Sequence, residues 1–325
     1  MKFAGFYRGA RAALLTAGVA LAALQAAPGL AAAPMVKTNA PGFYRIMLGD
    51  FEVTVINDGT VDLPVDQLLQ NTSKEKVEQA LARRHLKSPL ETSDDAFLIN
   101  TGSKLVLIDS GAGTLFGPTL GKLLANIKAS GYQPEQVDEI YITHMHPDHV
   151  GGLSADGKPV FPNAVVRADK KEADYWLSAD NAAKAPDQMK GFFQGAQAML
   201  APYVSAGKFQ PFSGAAELVP GIKASPSAGH TPGHTSYVVE SKGQKLALVG
   251  DMIHVAAIQF LEPNVVIGFD TDAKSAEAER QKEFAAAAKG GYLLGAAHLP
   301  FPGLGHLAQD GKGYEWIPVN FTQIH

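Results

Sequence analysis

The chain has no cysteine. That absence removes disulfide frameworks, thiolate metal ligands and a cysteine nucleophile together. It also lacks a surplus of basic charge, since 28 Lys and Arg face 32 Asp and Glu for a net charge of -4. Without a basic field, nucleic acid is excluded as a partner. After the N-terminus no apolar run approaches the roughly 20 residues of a membrane span. Only 18% of the 325 residues are charged and 46% are apolar, the balance of an ordinary soluble globular chain with a substantial core. Length alone allows one large domain or two small ones.

The first 33 residues read as a leader. Lys2, Arg8 and Arg11 form a basic head, and residues 12–24 form an apolar stretch too short to span a bilayer. Gly29, Ala31 and Ala33 offer small-residue cleavage points just before Pro34. The expectation is a signal peptide over 1–33, a single domain over 34–325, and export, to the periplasm if the source is Gram-negative. An uncleaved membrane anchor and a merely disordered Ala-rich leader are the alternatives.

What the chain does have is Thr143-His144-Met145-His146-Pro147-Asp148-His149-Val150-Gly151-Gly152. A β-branched and aromatic run, 137–142, precedes it and reads as a strand. The strand delivers three histidines and an aspartate into a turn that Pro147 and the glycine pair keep irregular. Imidazole and carboxylate crowded into six positions suit a borderline metal such as zinc. His144 and His146 alternate and can point one way, leaving Asp148 and His149 for a second ion. Single histidines are mostly surface or core residues, but three beside an Asp are not explained that way. Three later places end apolar strands in a ligand-type residue or pair them with one: Gly229-His230-Thr231-Pro232-Gly233-His234, then 245–251 ending in Asp251, then 292–298 ending in His298. Such endings suit a site at one rim of a sheet.

Elsewhere, Gly49-Asp50 and Asp58-Gly59 read as turns between strands, and 73–85 as a capped helix. Residues 96–100 and 104–109 form a hairpin, followed by a helix near 118–130. Helices are expected at 170–178, 188–203 and 273–289, with strands at 164–168, 222–225 and 236–240. Hairpins followed by helices in each half fit an α+β sandwich, αββα, of two mixed sheets covered by helices.

The order H-x-H-x-D-H, G-H-T-P-G-H, G-D and a strand-terminal His resembles the metallo-β-lactamase fold superfamily, in its dinuclear hydrolase branch. Lack of Cys sets aside members with a Cys ligand in the second site. Asp148-His149 together point to lactonases, glyoxalase II-like thioesterases and phosphotriester hydrolases. Phe43-Tyr44-Arg45, Lys87-Ser88-Pro89-Leu90-Glu91, Phe116-Gly117-Pro118 and Gly131-Tyr132-Gln133-Pro134 further resemble the methyl parathion hydrolase and dihydrocoumarin-type lactonase group. The resemblance runs over roughly 34–320.

That resemblance implies His144, His146 and His230 for one metal, Asp148, His149 and His298 for the other, and Asp251 bridging. The cofactors implied are two divalent ions, zinc first, with Mn2+, Co2+, Fe2+ or Cd2+ as alternatives. Asp148 and Asp251 carry the catalysis, the nucleophile being a hydroxide shared by the metals. Asp109 is a candidate to fix a ligand imidazole, its alternative being a plain turn residue. Phe116, Trp176 and Phe193 match the positions lining that group's pocket, with Leu68, His254, Ile267 and Phe269 on its wall. Methyl parathion hydrolases typically carry Arg, Leu, Thr and Leu at those four wall positions. The ligands are therefore expected intact and the preference shifted, toward aryl lactones and esters of dihydrocoumarin type with weak organophosphate triesterase activity. A dedicated methyl parathion hydrolase, a glyoxalase II-like thioesterase and a non-catalytic binding protein are the other readings. Relatives of this type suggest a homodimer, with no membrane contact after processing. His234 is expected to be structural, His254 to lie near the pocket, His85 and His325 to be surface residues, and His306 to approach the site only as a weak candidate.

Overall fold

The structure, a computed structural model, describes residues 33–324. The leader up to residue 32 and His325 lie outside the described residues. From Ala40 onward the chain is one compact unit.

Strand alternation builds the layers. The first sheet contains β1 (Phe43–Leu48), β2 (Phe51–Leu63), β3 (Leu90–Asn100), β4 (Leu105–Ile108), β5 (Glu139–Tyr141) and β6 (Val165–Arg167), adjacent in that order. The second contains β7 (Ala216–Val219), β8 (Ile222–Pro226), β9 (Thr235–Ser241), β10 (Gln244–Leu248), β11 (Leu293–Gly295), β12 (Leu304–Asp310) and β13 (Gly313–Pro318), again in chain order. Both are mixed, with β4 to β6 parallel and β10 parallel to β11. Successive side chains on a strand point to opposite faces. Thus Val53, Val55, Phe97, Ile99, Val106 and Ile108 meet Val239, Leu246 and Leu248 between the sheets. Their neighbours Ile56, Ala96, Leu98, Leu105 and Leu107 turn outward, under helices α2 (Leu123–Ala129), α3 (Lys170–Trp176) and α4 (Asp187–Ser205). Helix α5 (Ala273–Gly290) covers the far face of the second sheet with Phe284 and Ala287. The order of layers is αββα, as expected.

One expectation fails locally, and two helices form shorter than expected. Asp58-Gly59 is no turn between strands: β2 runs through it, with a bulge against β3 between Asn57 and Gly59. A bulge bends a strand without ending it. It frees the Asp58 carboxylate to accept the N–H groups of Ala112, Gly121 and Leu123 at 3.0, 2.8 and 2.7 Å, tying down the loop after β4. The helix expected over 118–130 forms only as α2, and the one over 73–85 as α1 (Lys74–Ala82), capped by Ser73. Among the described residues, no helix is long and apolar enough to cross a membrane.

Candidate metal centre and active site

The carboxyl ends of strands from both sheets converge on one rim. From the first sheet, the loop after β5 carries His144 and His146 and a short helical turn, Pro147–Val150, carries Asp148 and His149. From the second, loops after β8, β10 and β11 carry His230, Asp251 and His298. Ligand-type atoms of His144, His146, His230 and Asp251 all lie within 4.8 Å of one another, and so do those of Asp148, His149 and His298. A third set, Asp251, His254 and His298, overlaps both. Asp251 is the hub: its Oδ2 lies 3.3 Å from His230 Nε2 and 3.2 Å from His298 Nε2, and its Oδ1 lies 3.2 Å from His149 Nε2.

Whether this set fits metal ions is tested by its unpaired atoms. The buried Nε2 atoms of His144, His146 and His149 and Oδ1 of Asp251 have no hydrogen-bond partner. His146 Nδ1 and His230 Nε2, two nitrogens that can each offer a lone pair, stand 3.1 Å apart. Stranding so many buried polar atoms is costly unless a cation gathers them. Imidazole and carboxylate are the donors a zinc-like ion takes. The residues fit a dizinc-type centre.

Electrostatics agree. Burial, and then the neighbouring histidines, push His144 and His146 well below the usual imidazole range, so both offer lone pairs. Burial pulls on His230 and His298 too, but Asp251 with its carboxylate neighbours outweighs it and raises them to about 9 and about 10. Burial would raise Asp251, yet the surrounding histidines hold it well below the carboxylate range. The ionised carboxylate thus keeps protons on His230 and His298, protons that bound cations would displace.

Three of the rings are fixed from behind. Asp109 Oδ2 meets His149 Nδ1 at 2.8 Å and takes the Thr143 hydroxyl at 2.7 Å, while its Oδ1 accepts the Thr143 N–H. These bonds hold Asp109 at φ 60°, a strained conformation that a non-glycine residue keeps only under constraint. Sequence reasoning found Asp109 but missed Asp270, which meets His230 Nδ1 at 2.8 Å. Behind Asp270 lies the fully buried Arg280 of α5, whose Nη1 donates to the carbonyls of Pro263 and Val265. His298 Nδ1 pairs with the Ser93 carbonyl at 2.9 Å. Glu172, also missed, accepts from Met145 N, Thr231 Oγ1 and Gly233 N and so joins two ligand loops. Neither Asp270 nor Glu172 stands in a recognisable motif.

His234 is structural: Asp251 N–H donates to its Nε2 at 3.2 Å and Ser227 Oγ holds its Nδ1. Burial and then the nearby His230 lower it to about 3, which keeps it neutral. His254 lies inside the centre, its Nε2 3.1 Å from Asp251 Oδ2 and its ring stacked on His298. His306 does not approach the site; it lies on β12, in a groove with Ile46 and Met47. His85 is exposed on the wall of an adjoining cleft.

The expected pocket residues divide. Phe116, His254 and Phe269 line a small cavity over the centre, together with Phe192, Leu63 and Val61. Phe193 does not line it. It is buried in the core against Trp176, their ring centroids 4.6 Å apart, because adjacent residues on a helix point about 100° apart. Phe192, next to it on α4, takes the pocket position and packs against His146 at 5.2 Å. Trp176 also lies behind His146 and not in the open cavity. Leu68 and Ile267 likewise form a layer behind Phe269, around Val65 and Val255.

Comparison with known proteins bears on this site. A model of the Metallo-beta-lactamase superfamily matches residues 92–298. An N-acyl homoserine lactonase of Bacillus cereus is 24% identical over 197 residues, 61% of this chain and 66% of that protein. One from Bacillus thuringiensis is 25% identical over 60% of this chain and 73% of its own. Among solved structures, the hydrolase AbOPH of the beta lactamase superfamily is 41% identical, with a TM-score of 0.84 over 88% of this chain and 100% of that one. AidC, a dizinc quorum-quenching lactonase solved with a product N-hexanoyl-L-homoserine, is 29% identical, with a TM-score of 0.80 over 87% and 99%. The chain belongs to the metallo-beta-lactamase superfamily, as a metal-dependent hydrolase.

Proposed function

We propose that this enzyme hydrolyses lactones and aryl esters of the dihydrocoumarin type, with weaker turnover of organophosphate triesters. The observation that carries the reading is a pair of adjacent ligand sets, the Asp251 of one lying 3.2 Å from His149 and His298 of the other, opening on a cavity walled by Phe116, Phe192 and Phe269. Aromatic and apolar walls favour a neutral ring over a charged thioester.

His144, His146 and His230 would hold one ion, and Asp148, His149 and His298 the other, with Asp251 between. Two divalent ions, zinc by preference, supply Lewis acidity toward the substrate oxygen and lower the pKa of water. The protein does the rest. Asp148 stands at the cavity wall with its Oδ2 3.5 Å from His298 Nε2, and its side chain keeps about 20% exposure. It is placed to take a proton from the attacking water and pass it to the leaving oxygen. Asp109, Asp270 and the Ser93 carbonyl keep His149, His230 and His298 from rotating.

The test is a panel on metal-loaded protein: dihydrocoumarin, an acyl homoserine lactone, a glutathione thioester and methyl parathion. Highest kcat/KM on the thioester, or no hydrolysis at all, would overturn the reading. The lactonase relatives support a second reading, in which N-acyl homoserine lactones are the preferred lactones. A dedicated methyl parathion hydrolase is less well supported, because His254 and Phe269 on the wall and Leu68 and Ile267 behind it differ from that pattern. We also propose export and a homodimer. Mass spectrometry of protein from its host should find an N-terminus near Pro34, and an intact Met1 would refute export. Sedimentation should find twice the chain mass.

A further inference from the structure

Asp148 and Asp251, the acids assigned to the reacting centre, are both ligand residues. A carboxylate that gives an oxygen to a cation holds a proton poorly. The chamber over the centre has a further carboxyl on its wall, that of Asp94. Asp94 lies on β3 and pairs with Gly59 at the bulge of β2. Its neighbour Ser93 holds His298 through a carbonyl at 2.9 Å, so the strand sets Asp94 beside the ligands. Successive residues on a strand face opposite ways. Asp95 turns away and takes Asn57 Nδ2 at 2.8 Å, while Asp94 faces the chamber.

Asp94 is buried, and it belongs to none of the ligand sets among the described residues. Its Oδ2 has no hydrogen-bond partner. A carboxyl buried that way costs stability when ionised and repays little of it in bonds. Burial, and then the neighbouring carboxylates Asp148 and Asp58, push it well above the usual carboxylate range. The chamber measures about 40 Å³, room for a few water-sized groups, so a group reacting there stands close to Asp94.

We propose that Asp94 is a further catalytic residue, the acid that protonates the leaving oxygen, an assignment that rests on the lactone and ester hydrolysis proposed above. The proton transfers are then divided between two carboxyls. As the attacking water bonds to the carbonyl carbon, Asp148 takes one of its protons. As the bond from that carbon to the leaving oxygen breaks, the electron pair stays on the oxygen and takes the Asp94 proton. Asp148 returns its proton to Asp94 across the chamber, and the second water proton leaves with the acid product. One water is consumed, and both carboxyls end as they began. A leaving alkoxide is far more basic than a leaving phenoxide and needs this proton more.

The test compares δ-valerolactone, which expels an alkoxide, with dihydrocoumarin, which expels a phenoxide, on the zinc-loaded full chain. Asp94→Asn keeps the shape and loses the acid. It should lower kcat/KM roughly a hundredfold for δ-valerolactone and less than about tenfold for dihydrocoumarin, within the usual range of general acid catalysis. Asp95→Asn, one residue along and also buried, should leave the ratio of the two substrates unchanged. A merely structural role would slow both substrates alike, so equal losses in Asp94→Asn overturn the proposal, and so does no loss. Competition with a chelator should find zinc affinity kept in Asp94→Asn, and a loss would overturn the assignment by placing Asp94 behind a ligand. Should Asp94→Asn fail to fold, Asp94→Ala replaces it, and added formate should restore δ-valerolactone turnover. No restoration overturns the proposal. If the wild type hydrolyses no lactone, the functional reading fails, and infrared spectroscopy of the zinc-loaded protein still decides whether Asp94 holds a proton. A carboxylic acid C=O stretch that Asp94→Asn abolishes supports the acid, and its absence from the wild type refutes it.

Discussion

A metal ligand is only as good as the atom behind it. Asp270 and Asp109 each fix one imidazole at 2.8 Å, and each is itself held. Asp270→Asn keeps the shape but loses the charge behind His230 and leaves Arg280 facing a neutral amide. Removing a carboxylate of this kind typically costs 10–100-fold in metal affinity, and competition with a metallochromic chelator should show a loss of about that size. Wild-type affinity in Asp270→Asn would reduce the contact to packing. Proton competition sets a second expectation. His230 and His298 are raised to about 9 and about 10, so at neutral pH the ion-free centre carries protons that a cation must displace. Affinity for zinc should therefore climb from pH 5 toward pH 9, with proton release measurable by titration in buffers of different ionisation enthalpy. A pH-independent affinity with no proton release contradicts this. Asp109 was legible in the sequence because it follows a strand and precedes glycines. Asp270 was not, since a lone Asp 40 residues from His230 announces nothing until the fold brings the two together.

Strands and helices were legible where a period is long enough to read. Val53 through Ile56 and Ala96 through Ile99 alternate between two cores, and their β-branched and aromatic content marks both as strands without telling the two faces apart. The bulge at Asp58-Gly59 was not legible, because the same residues that make turns also make bulges. Phe192 and Phe193 show the finest limit, where one step along α4 exchanges a pocket wall for a core position. The hairpin of β12 and β13 was missed because glycines and a proline interrupt its pattern. Two glycines test how tightly elements meet. A Cβ on Gly151 would stand 1.9 Å from the Ala112 carbonyl oxygen, backbone against backbone, so the loop after β4 and the His149 turn pack too closely there for any side chain. Gly151→Ala should cost about 3 kcal/mol or more, by the overpacking it forces, read as a lower urea midpoint. Gly191, exposed within α4, has nothing within 4 Å of a built Cβ. Gly191→Ala should instead raise stability by roughly 0.5–1 kcal/mol, the usual gain in a helix interior. Equal effects from the two would refute the packing argument.

At the scale of the molecule, two sheets in chain order bring residues from 144 to 298 onto one rim. That convergence was legible, because each ligand follows a strand in a recognisable order. The volume enclosed above it was not, since it depends on how far Phe269, Phe192 and Phe116 lean over the centre. Leu68, Ile267 and Phe269 belong to one apolar cluster beneath that wall. The enclosed volume decides which reaction geometry fits. A lactone carbonyl is flat and slips between rings, whereas a phosphotriester is tetrahedral, carries two alkoxy arms and expels a bulky aryl oxide. On the function proposed above, a chamber of about 40 Å³ would hold such a group out of line with the attacking water, and a misplacement of about 1 Å costs roughly a hundredfold in rate. His254→Leu and Phe269→Leu remove two rings that stand 6.2 Å apart on the wall, and Ile267→Thr loosens the support behind them. Made together, the three should raise kcat/KM for methyl parathion by more than the product of the single effects, because neighbouring wall residues couple. The same triple variant should lose roughly 1–3 kcal/mol of stability, since Ile267→Thr puts a hydroxyl at a buried position. Flat or falling phosphotriester turnover in every combination would show that the wall does not set the preference.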